Sequence, residues 1–371
     1  MNAQARREAV KWTTLVPVLA FVLLAFTWGR SLPGPVVAVV ALFLAGSVLA
    51  AVHHAEVIAH RVGEPFGSLV LAVAVTIIEV ALIVTLMADG NEKNATLARD
   101  TVFAAVMITC NGIVGLSILV TALRHRVAVF NPEGTGAAFS AIATLATLSL
   151  VLPTFTTSKP GPQFSTTQLV FAAVASLLVY GLFVSTLTVR HRDYFLPLSP
   201  SGRILDDVGG HDDDHAEPPT KQQAWISLAL LGVALVAVVG LGKGVSPTIE
   251  RTVADAGLPS SVVGVVIAML VLAPETIAAV RAAGRNRLQT SLNLAHGSAL
   301  ASIGLTIPAV AVASAWLSGP LVLGLDSTHM VLLALTIAVG TLTVMPGRAT
   351  PLQGGVHLAV MGAYLVLAVS P

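Results

Sequence analysis

The chain is a succession of apolar runs, each about long enough to cross a lipid bilayer, joined by short polar stretches. A spanning helix needs about 20 apolar residues, and only helices or closed barrels satisfy their backbone hydrogen bonds inside lipid. Only 11% of the residues are charged, whereas soluble domains carry about 25%. These features predict an all-α polytopic membrane protein whose side chains mostly contact lipid or other helices.

Eleven apolar runs qualify as transmembrane helices. They are expected at residues 13–29, 33–52, 66–88, 101–123, 135–153, 167–189, 224–242, 261–283, 289–316, 327–345 and 352–370. Pro308 is expected to kink or end the ninth helix, because proline lacks the backbone N–H that a helix interior uses. With a cytoplasmic N-terminus, cytoplasmic segments hold 14 of the 20 lysines and arginines, which predicts a C-terminus outside the cell.

One long polar segment divides the chain into two halves. Residues 191–223 are rich in proline, glycine and aspartate and are expected to form a cytoplasmic linker. Residues 1–30 hold an N-terminal tail and an extra first helix, so residues 31–190 and 224–371 contain five spans each. Two consecutive five-helix units have opposite orientations, which is the arrangement of inverted-repeat transporters.

Two glutamates lie inside apolar runs, each in the second helix of its half. They are Glu79 in the run 66–88 and Glu275 in the run 261–283. A lone carboxylate in hydrocarbon is costly, so it normally faces a cavity and binds something. Pro274 removes one backbone N–H and frees a carbonyl oxygen one turn earlier. The pair predicts a cation transport site, and a structural hydrogen bond between helices is the alternative.

Further oxygen ligands are available near both glutamates. Calcium takes about six to eight oxygens, and two carboxylates neutralise its charge. Protons compete with the cation for the same carboxylates, which is the minimal basis of an antiporter. The residues with suitable oxygens, some within a G-x-x-x-x-S-I pattern that occurs once in each half, are Thr76, Asn111, Ser117, Asn293, Ser298 and Ser302.

Several histidines and acidic residues allow two interpretations each. His296, in mid-helix, is either a proton relay or a hydrogen-bonded core residue, and His357 is expected to be packed or interfacial. A stripe at the cytoplasmic end of the second and third helices is either a solvated helix end or a mouth that attracts cations. The linker run is either simply solvated or a weak divalent-ion or pH sensor. The stripe comprises Glu56, His60 and Glu64, and the run comprises His211, Asp212, Asp213, Asp214 and His215.

Other classes of protein are disfavoured. A net charge of +1 argues against a nucleic-acid partner, and the single Cys110 excludes a disulfide framework and a cysteine zinc cluster. No Walker A, H-E-x-x-H or G-x-S-x-G motif is present, so neither ATP-driven transport nor hydrolase activity is indicated. The protein is therefore expected to be no enzyme and to need no cofactor. A membrane-embedded enzyme with two catalytic carboxylates and a passive channel are the remaining alternatives from other classes.

Two signature regions resemble those of a known family. GEPFGSL, which begins at Gly63, and TIIEV, which contains Glu79, are similar to the first repeat of bacterial ChaA-type calcium/proton antiporters of the calcium/cation antiporter superfamily. LAPE, NRLQTSLNL and GSAL, within residues 272–300, are similar to the second repeat. The resemblance covers nearly the whole chain through its helix count, its two halves and its acidic linker.

The resemblance implies an eleven-helix fold in the inner membrane, with one extra N-terminal helix and two inverted five-helix repeats. It implies export of Ca²⁺ from the cytoplasm in exchange for H⁺, with Glu79 and Glu275 as the paired metal-binding glutamates. The wider superfamily often has Gly-Asn before each glutamate, but this chain has Ile-Ile and Ala-Pro there. Exchange of Na⁺ or K⁺ for H⁺ is therefore the alternative. The family's site is lined by the helices that carry Thr76, Asn111, Ser298 and Ser302.

Overall fold

A computed structural model describes residues 3–30, 32–63, 66–88, 95–197, 219–259, 261–317 and 319–370. Over this part of the chain the architecture is all-α, apart from turns and one two-residue β-bridge. The elements are α1 Ala3–Thr27, α2 Gly34–Val62, α3 Phe66–Met87, α4 Leu97–Met107, α5 Val114–His125, β1 Ala128–Val129, α6 Pro132–Ala146, α7 Leu152–Phe155, α8 Thr166–Ser185, α9 Lys221–Asp255, α10 Ser261–Gly284, α11 Leu288–Ala313, α12 Ser327–Val344, β2 Arg348–Ala349 and α13 Pro351–Val369.

Every predicted transmembrane helix corresponds to a helix in the described part of the structure. Ten helical spans there are long and apolar enough to cross a membrane, and Trp12–Thr27 of α1 is a shorter apolar helix. Two of the spans contain a π-helical turn between two α-helical stretches. Ile108–Ile113 joins α4 to α5, and Thr147–Val151 joins α6 to α7. The prediction of an all-α polytopic membrane protein is confirmed.

Several helix ends differ from the predicted ones, most of all those of the second and seventh helices. The second helix continues past residue 52 to Val62, and the seventh continues past residue 242 to Asp255. Polar residues can extend a helix beyond the bilayer, because apolar length predicts the membrane crossing and not the end of helical hydrogen bonding. Of the two outcomes expected at Pro308, a kink or an end, the end is excluded, because the ninth helix continues to Ala313.

The first compact unit comprises Met1–Asp89 and Glu217–Val263. In it α2 packs along α9, while α1 and α3 each pack against both of them. The buried His54 on α2 lies 3.3 Å from the Ser227 hydroxyl on α9 and 3.1 Å from the Thr13 carbonyl on α1. One imidazole ring therefore connects three helices of this unit.

The second compact unit comprises Gly90–Ala216 and Gly264–Pro371. Its centre is the α4–α5 span, whose most apolar window is 83% buried. α11 packs against this span and against α6 and α8, and α13 packs along α5. β1 pairs antiparallel with β2, which links the turn after α5 to the turn before α13.

The two compact units are not the two predicted halves. α9 belongs to the second half of the chain, yet it packs with α1, α2 and α3 in the first unit. Spatial packing thus divides this chain differently from the predicted repeat. The inverted repeat of residues 31–190 and 224–371 stays a prediction.

Candidate cation site

Glu79 is buried in the middle of α3. It is 3% exposed, and Thr76, one turn earlier, is also buried. The helix from Phe66 to Met87 contains no other ionisable side chain. The first unit therefore holds one carboxylate in the middle of an otherwise uncharged span, as the sequence predicts.

Glu275 is the corresponding carboxylate of α10, within the second unit. It is 7% exposed. Pro274 lies inside the helix and lacks an N–H, so the carbonyl of Leu270 has no proline N–H to accept from. The hydroxyl of Thr276 donates to the Leu272 carbonyl at 2.8 Å. The proline thus leaves one carbonyl of α10 without its usual N–H donor in the turn before Glu275.

The contacts of α10 place Glu275 and Asn111 at a similar depth. Near its start, a β-carbon at Gly264 would lie 2.9 Å from the β-carbon of Asp100 on α4. Near its end, Arg124 on α5 donates a 2.5 Å hydrogen bond to the Gly284 carbonyl. The two spans therefore meet near both ends and run in the same direction. Glu275 follows Gly264 by 11 residues, and Asn111 follows Asp100 by 11 residues, which is about 16 Å along each axis.

Asn111 occupies the π-helical turn between α4 and α5 and is completely buried. Its amide nitrogen donates to the Thr336 hydroxyl on α12 at 2.9 Å. Its amide oxygen lies 3.3 Å from Nδ1 of His357 on α13, and Nε2 of that ring lies 3.1 Å from the Thr343 hydroxyl. π-helical turns often occur at functional sites. This one carries Asn111, whose side chain belongs to a chain of hydrogen bonds among otherwise apolar helices.

The predicted ligands on α11 have different surroundings. Ser302 is buried and Ser298 is half-buried. Asn293 donates to the Phe195 carbonyl at 2.8 Å and accepts from Gln289 at 2.8 Å. Both ends of the Asn293 amide are thus engaged within the second unit. Ser117, on α5, accepts a 2.7 Å hydrogen bond from Ser291 and is likewise engaged.

His296 is buried on α11, with its ring in edge contact with Phe139 at a centroid distance of 6.1 Å. It shares with His357 and Thr135 a small enclosed cavity, in which about 10 Å³ is open to the centre of a water molecule. This is about the space of one water. A relay of protons through His296 stays a prediction.

The predicted cytoplasmic stripe is only partly described. Glu56 and His60 are both exposed and lie one turn apart near the end of α2. Glu64 lies outside the described residues, as does the whole linker run from His211 to His215. Within the described part of the chain, no three His, Cys, Asp or Glu side chains come together as a metal cluster.

The hydrogen-bonded residues around Asn111 were missed by sequence reasoning. His357, Thr336 and Thr343 come from the last two helices, and the hydrogen-bonded pairs are separated by up to 246 residues. His357 alone had a detectable signal, because an ionisable side chain inside a transmembrane run is by default a candidate functional residue. The two threonines had none, since threonine is common in apolar helices.

An all-α polytopic membrane protein with a buried carboxylate inside each of two apolar spans is typical of an ion transporter. The chain belongs to the sodium/calcium exchanger protein family, which matches residues 33–189 and 226–370. These two stretches lie on either side of the linker. The predicted resemblance to the calcium/cation antiporter superfamily is confirmed, and the family is one of cation exchangers.

Individual relatives match over nearly their whole length. The y4hA protein of Sinorhizobium fredii, named an ionic transporter, is 46% identical over 367 residues, which is 97% of this chain and 96% of that protein. The sodium-potassium/proton antiporter ChaA of Escherichia coli is 34% identical and covers 98% of both chains. The crystal structure of the H⁺/Ca²⁺ exchanger CAX has the same fold, with a TM-score of 0.69 at 14% identity, over 99% of this chain and 93% of that one.

Proposed function

We propose that this protein is a secondary active antiporter that exports Ca²⁺ from the cytoplasm in exchange for H⁺. Glu79 and Glu275 hold the cation, and protons replace it on the same carboxylates. The observation that carries the proposal is the burial of one glutamate inside each of two apolar spans. Membership of a cation exchanger family supports it.

The physical argument rests on charge compensation. A carboxylate is stable in a low-dielectric interior only when a cation or a proton neutralises it. Two carboxylates match the charge of one Ca²⁺, and two protons neutralise them equally well. Thr76, Asn111, Ser298 and Ser302 add neutral oxygens. Ca²⁺ and H⁺ then exclude each other from the site. Transport of Ca²⁺ in one direction is therefore coupled to transport of H⁺ in the other.

Exchange of Na⁺ or K⁺ for H⁺ is the second candidate. The E. coli relative with 34% identity is named a sodium-potassium/proton antiporter, which favours this alternative. The residues that precede the two glutamates, Ile78 and Pro274, offer no side-chain oxygen to a divalent ion. A monovalent ion needs fewer compensating charges, so one of the carboxylates would keep a proton while the cation is bound.

Orientation is part of the proposal. The distribution of lysine and arginine favours a cytoplasmic N-terminus and a C-terminus outside the inner membrane. Alkaline phosphatase folds only outside the cytoplasm, so its fusion after Ser370 is expected to be active. An inactive phosphatase at that position, together with a fluorescent cytoplasmic reporter there, would contradict the proposed orientation.

The decisive experiment is a cation panel on everted membrane vesicles. Addition of Ca²⁺ is expected to collapse a preformed proton gradient, and Na⁺ and K⁺ are tested in parallel. Glu79→Gln and Glu275→Gln are each expected to reduce exchange to background, because a neutral amide can neither compensate the charge of a cation nor bind a proton. The exposed Glu133→Gln at the start of α6 is the matched control and keeps full exchange. Exchange in either of the first two variants would refute the shared site.

A further inference from the structure

The amide of Asn111 is held in one orientation by a directed chain of hydrogen bonds. The hydroxyl of Thr336 donates to the Leu332 carbonyl at 2.8 Å, so its oxygen accepts from the amide nitrogen of Asn111 at 2.9 Å. The amide oxygen therefore points the other way, toward Nδ1 of His357. An amide oxygen can only accept, so Nδ1 of His357 carries the hydrogen. Nε2 then takes the hydrogen bond of Thr343.

The ring of His357 has little freedom to leave this position. The residue is 1% exposed. A β-carbon at Gly115, one turn after Asn111, would lie 2.8 Å from the β-carbon of His357. α5 and α13 are thus in backbone contact where the imidazole meets the amide. The threonine on one side and the amide on the other fix the ring at both nitrogens.

The orientation of Asn111 matters for a cation. An amide oxygen has two lone pairs, and His357 takes one of them, which leaves the second for a metal ion. If the amide turned over, its NH₂ group would face the ion and repel it. Asn111 lies at a depth similar to that of Glu275 on a span that contacts α10 near both ends. In the proposed site, such a reversal would therefore act on the bound cation.

We propose that His357 is a positioning residue that keeps the amide oxygen of Asn111 facing the transported cation and thereby sets the apparent affinity for that cation. The proposal rests on the proposed function, in which Asn111 contributes an oxygen to the site. His357 does not bind the cation in this scheme. Its contribution passes entirely through Asn111.

The test is steady-state exchange by the purified full-length protein in liposomes, with KM measured for Ca²⁺, Na⁺ and K⁺. His357→Leu is expected to raise KM for the transported ion about 5- to 10-fold, the size of one lost hydrogen bond, with the maximal rate changed less than about twofold. His357→Gln is expected to recover most of the affinity, because its amide NH₂ group can donate to Asn111. In an Asn111→Ala background, His357→Leu is expected to have no further effect on KM.

A matched control separates positioning from folding. His54 is a buried histidine of the first unit with the same type of hydrogen bonds to two other helices. His54→Leu is expected to lower the melting temperature while KM stays unchanged. If His357→Leu does not accumulate, Thr336→Val, which removes the acceptor of the Asn111 amide, serves as the second variant and is expected to raise KM in the same way.

Two results would overturn the proposal. One is an unchanged KM in a folded His357→Leu or Thr336→Val protein. The other is an equal rise in KM with and without the Asn111 side chain, which would show that His357 acts on the fold in general. The outcome is separable from that of the proposed function. If the Glu79→Gln and Glu275→Gln variants lose exchange but His357→Leu keeps its KM, only the positioning role fails.

Discussion

Gly354 and Leu119 approach so closely that a β-carbon at position 354 would lie 2.8 Å from the Leu119 backbone nitrogen. The same β-carbon would lie 2.9 Å from the carbonyl oxygen of Gly115. α13 and α5 are therefore in direct backbone contact, which only a residue without a side chain permits. The neighbouring Gly355 has no atom of this kind within 4 Å.

Gly354→Ala is expected to destabilise the protein by about 1–3 kcal/mol, because the methyl group forces two backbones apart. Gly355→Ala is the matched control, with the same chemical change one residue away and open space around it. Thermal unfolding of the two variants in detergent measures the difference. Equal melting temperatures would contradict the close contact of α5 with α13.

Ser117 and Ser291 form a second testable pair. Both are completely buried, and the Ser291 hydroxyl donates to Ser117 at 2.7 Å. Ser117→Ala leaves a buried hydroxyl on Ser291 without its acceptor, at an expected cost of about 1–3 kcal/mol. The double variant Ser117→Ala/Ser291→Ala is expected to lose less than the sum of the single variants. Strict additivity in unfolding measurements would show that the pair contributes no coupling.

Asp326 predicts a pH-dependent contribution to stability. Partial burial raises the pKa of its carboxyl group, but hydrogen bonds and charge from His329, with a smaller contribution from Arg99, outweigh that effect, so the pKa lies below its usual 3.8. A folded-state pKa below the unfolded one stabilises the protein above about pH 4, and this contribution is lost as the pH falls through the folded value. Wild-type protein is therefore expected to lose stability below about pH 4.

Asp326→Asn isolates the charge. Asp326 caps α12, where its oxygen accepts from the His329 backbone N–H at 2.9 Å, and asparagine caps helices equally well. The variant is expected to show a smaller loss of melting temperature on acidification than the wild type. The same acid sensitivity in both proteins would assign it to other carboxylates.

The linker prediction needs a functional measurement. Deletion of residues 209–216 removes the run from His211 to His215 and is expected to leave cation exchange within about twofold of wild type, because charge runs are usually solvated. The pH profile and the effect of added divalent ions are measured in the same vesicles. A displaced pH optimum or lost exchange would instead identify the linker as a sensor.

The sequence predicts the presence of the transmembrane helices better than it predicts where they end. The existence of each transmembrane helix follows from its apolar run, because lipid tolerates no unsatisfied backbone. The ends of α2 and α9 do not, because helix formation continues into polar residues where the membrane exerts no constraint. Glu79 and Glu275 were identifiable because a carboxylate is conspicuous among apolar residues.

The environment of Asn111 shows where the sequence reaches its limit. The π-helical turn that carries Asn111 cannot be recognised from the sequence, because a short apolar segment shows no periodicity that distinguishes it from an α-helix. The partners of Asn111, Thr336 and His357, lie 225 and 246 residues away along the chain. Such contacts depend on which helices pack together, and this in turn depends on how well the surfaces of entire helices fit each other.

The amino-acid sequence by itself determined that this protein is a bundle of membrane-spanning helices with one carboxylate inside each of two of them. Apolar length and isolated charge are local properties, and lipid acts on them residue by residue. Only the tertiary structure decided which helices pack together, how Asn111 is oriented and that Glu275 lies at a similar depth. Those relations arise from close contacts, such as Gly354 against Leu119, between segments that are distant in the chain.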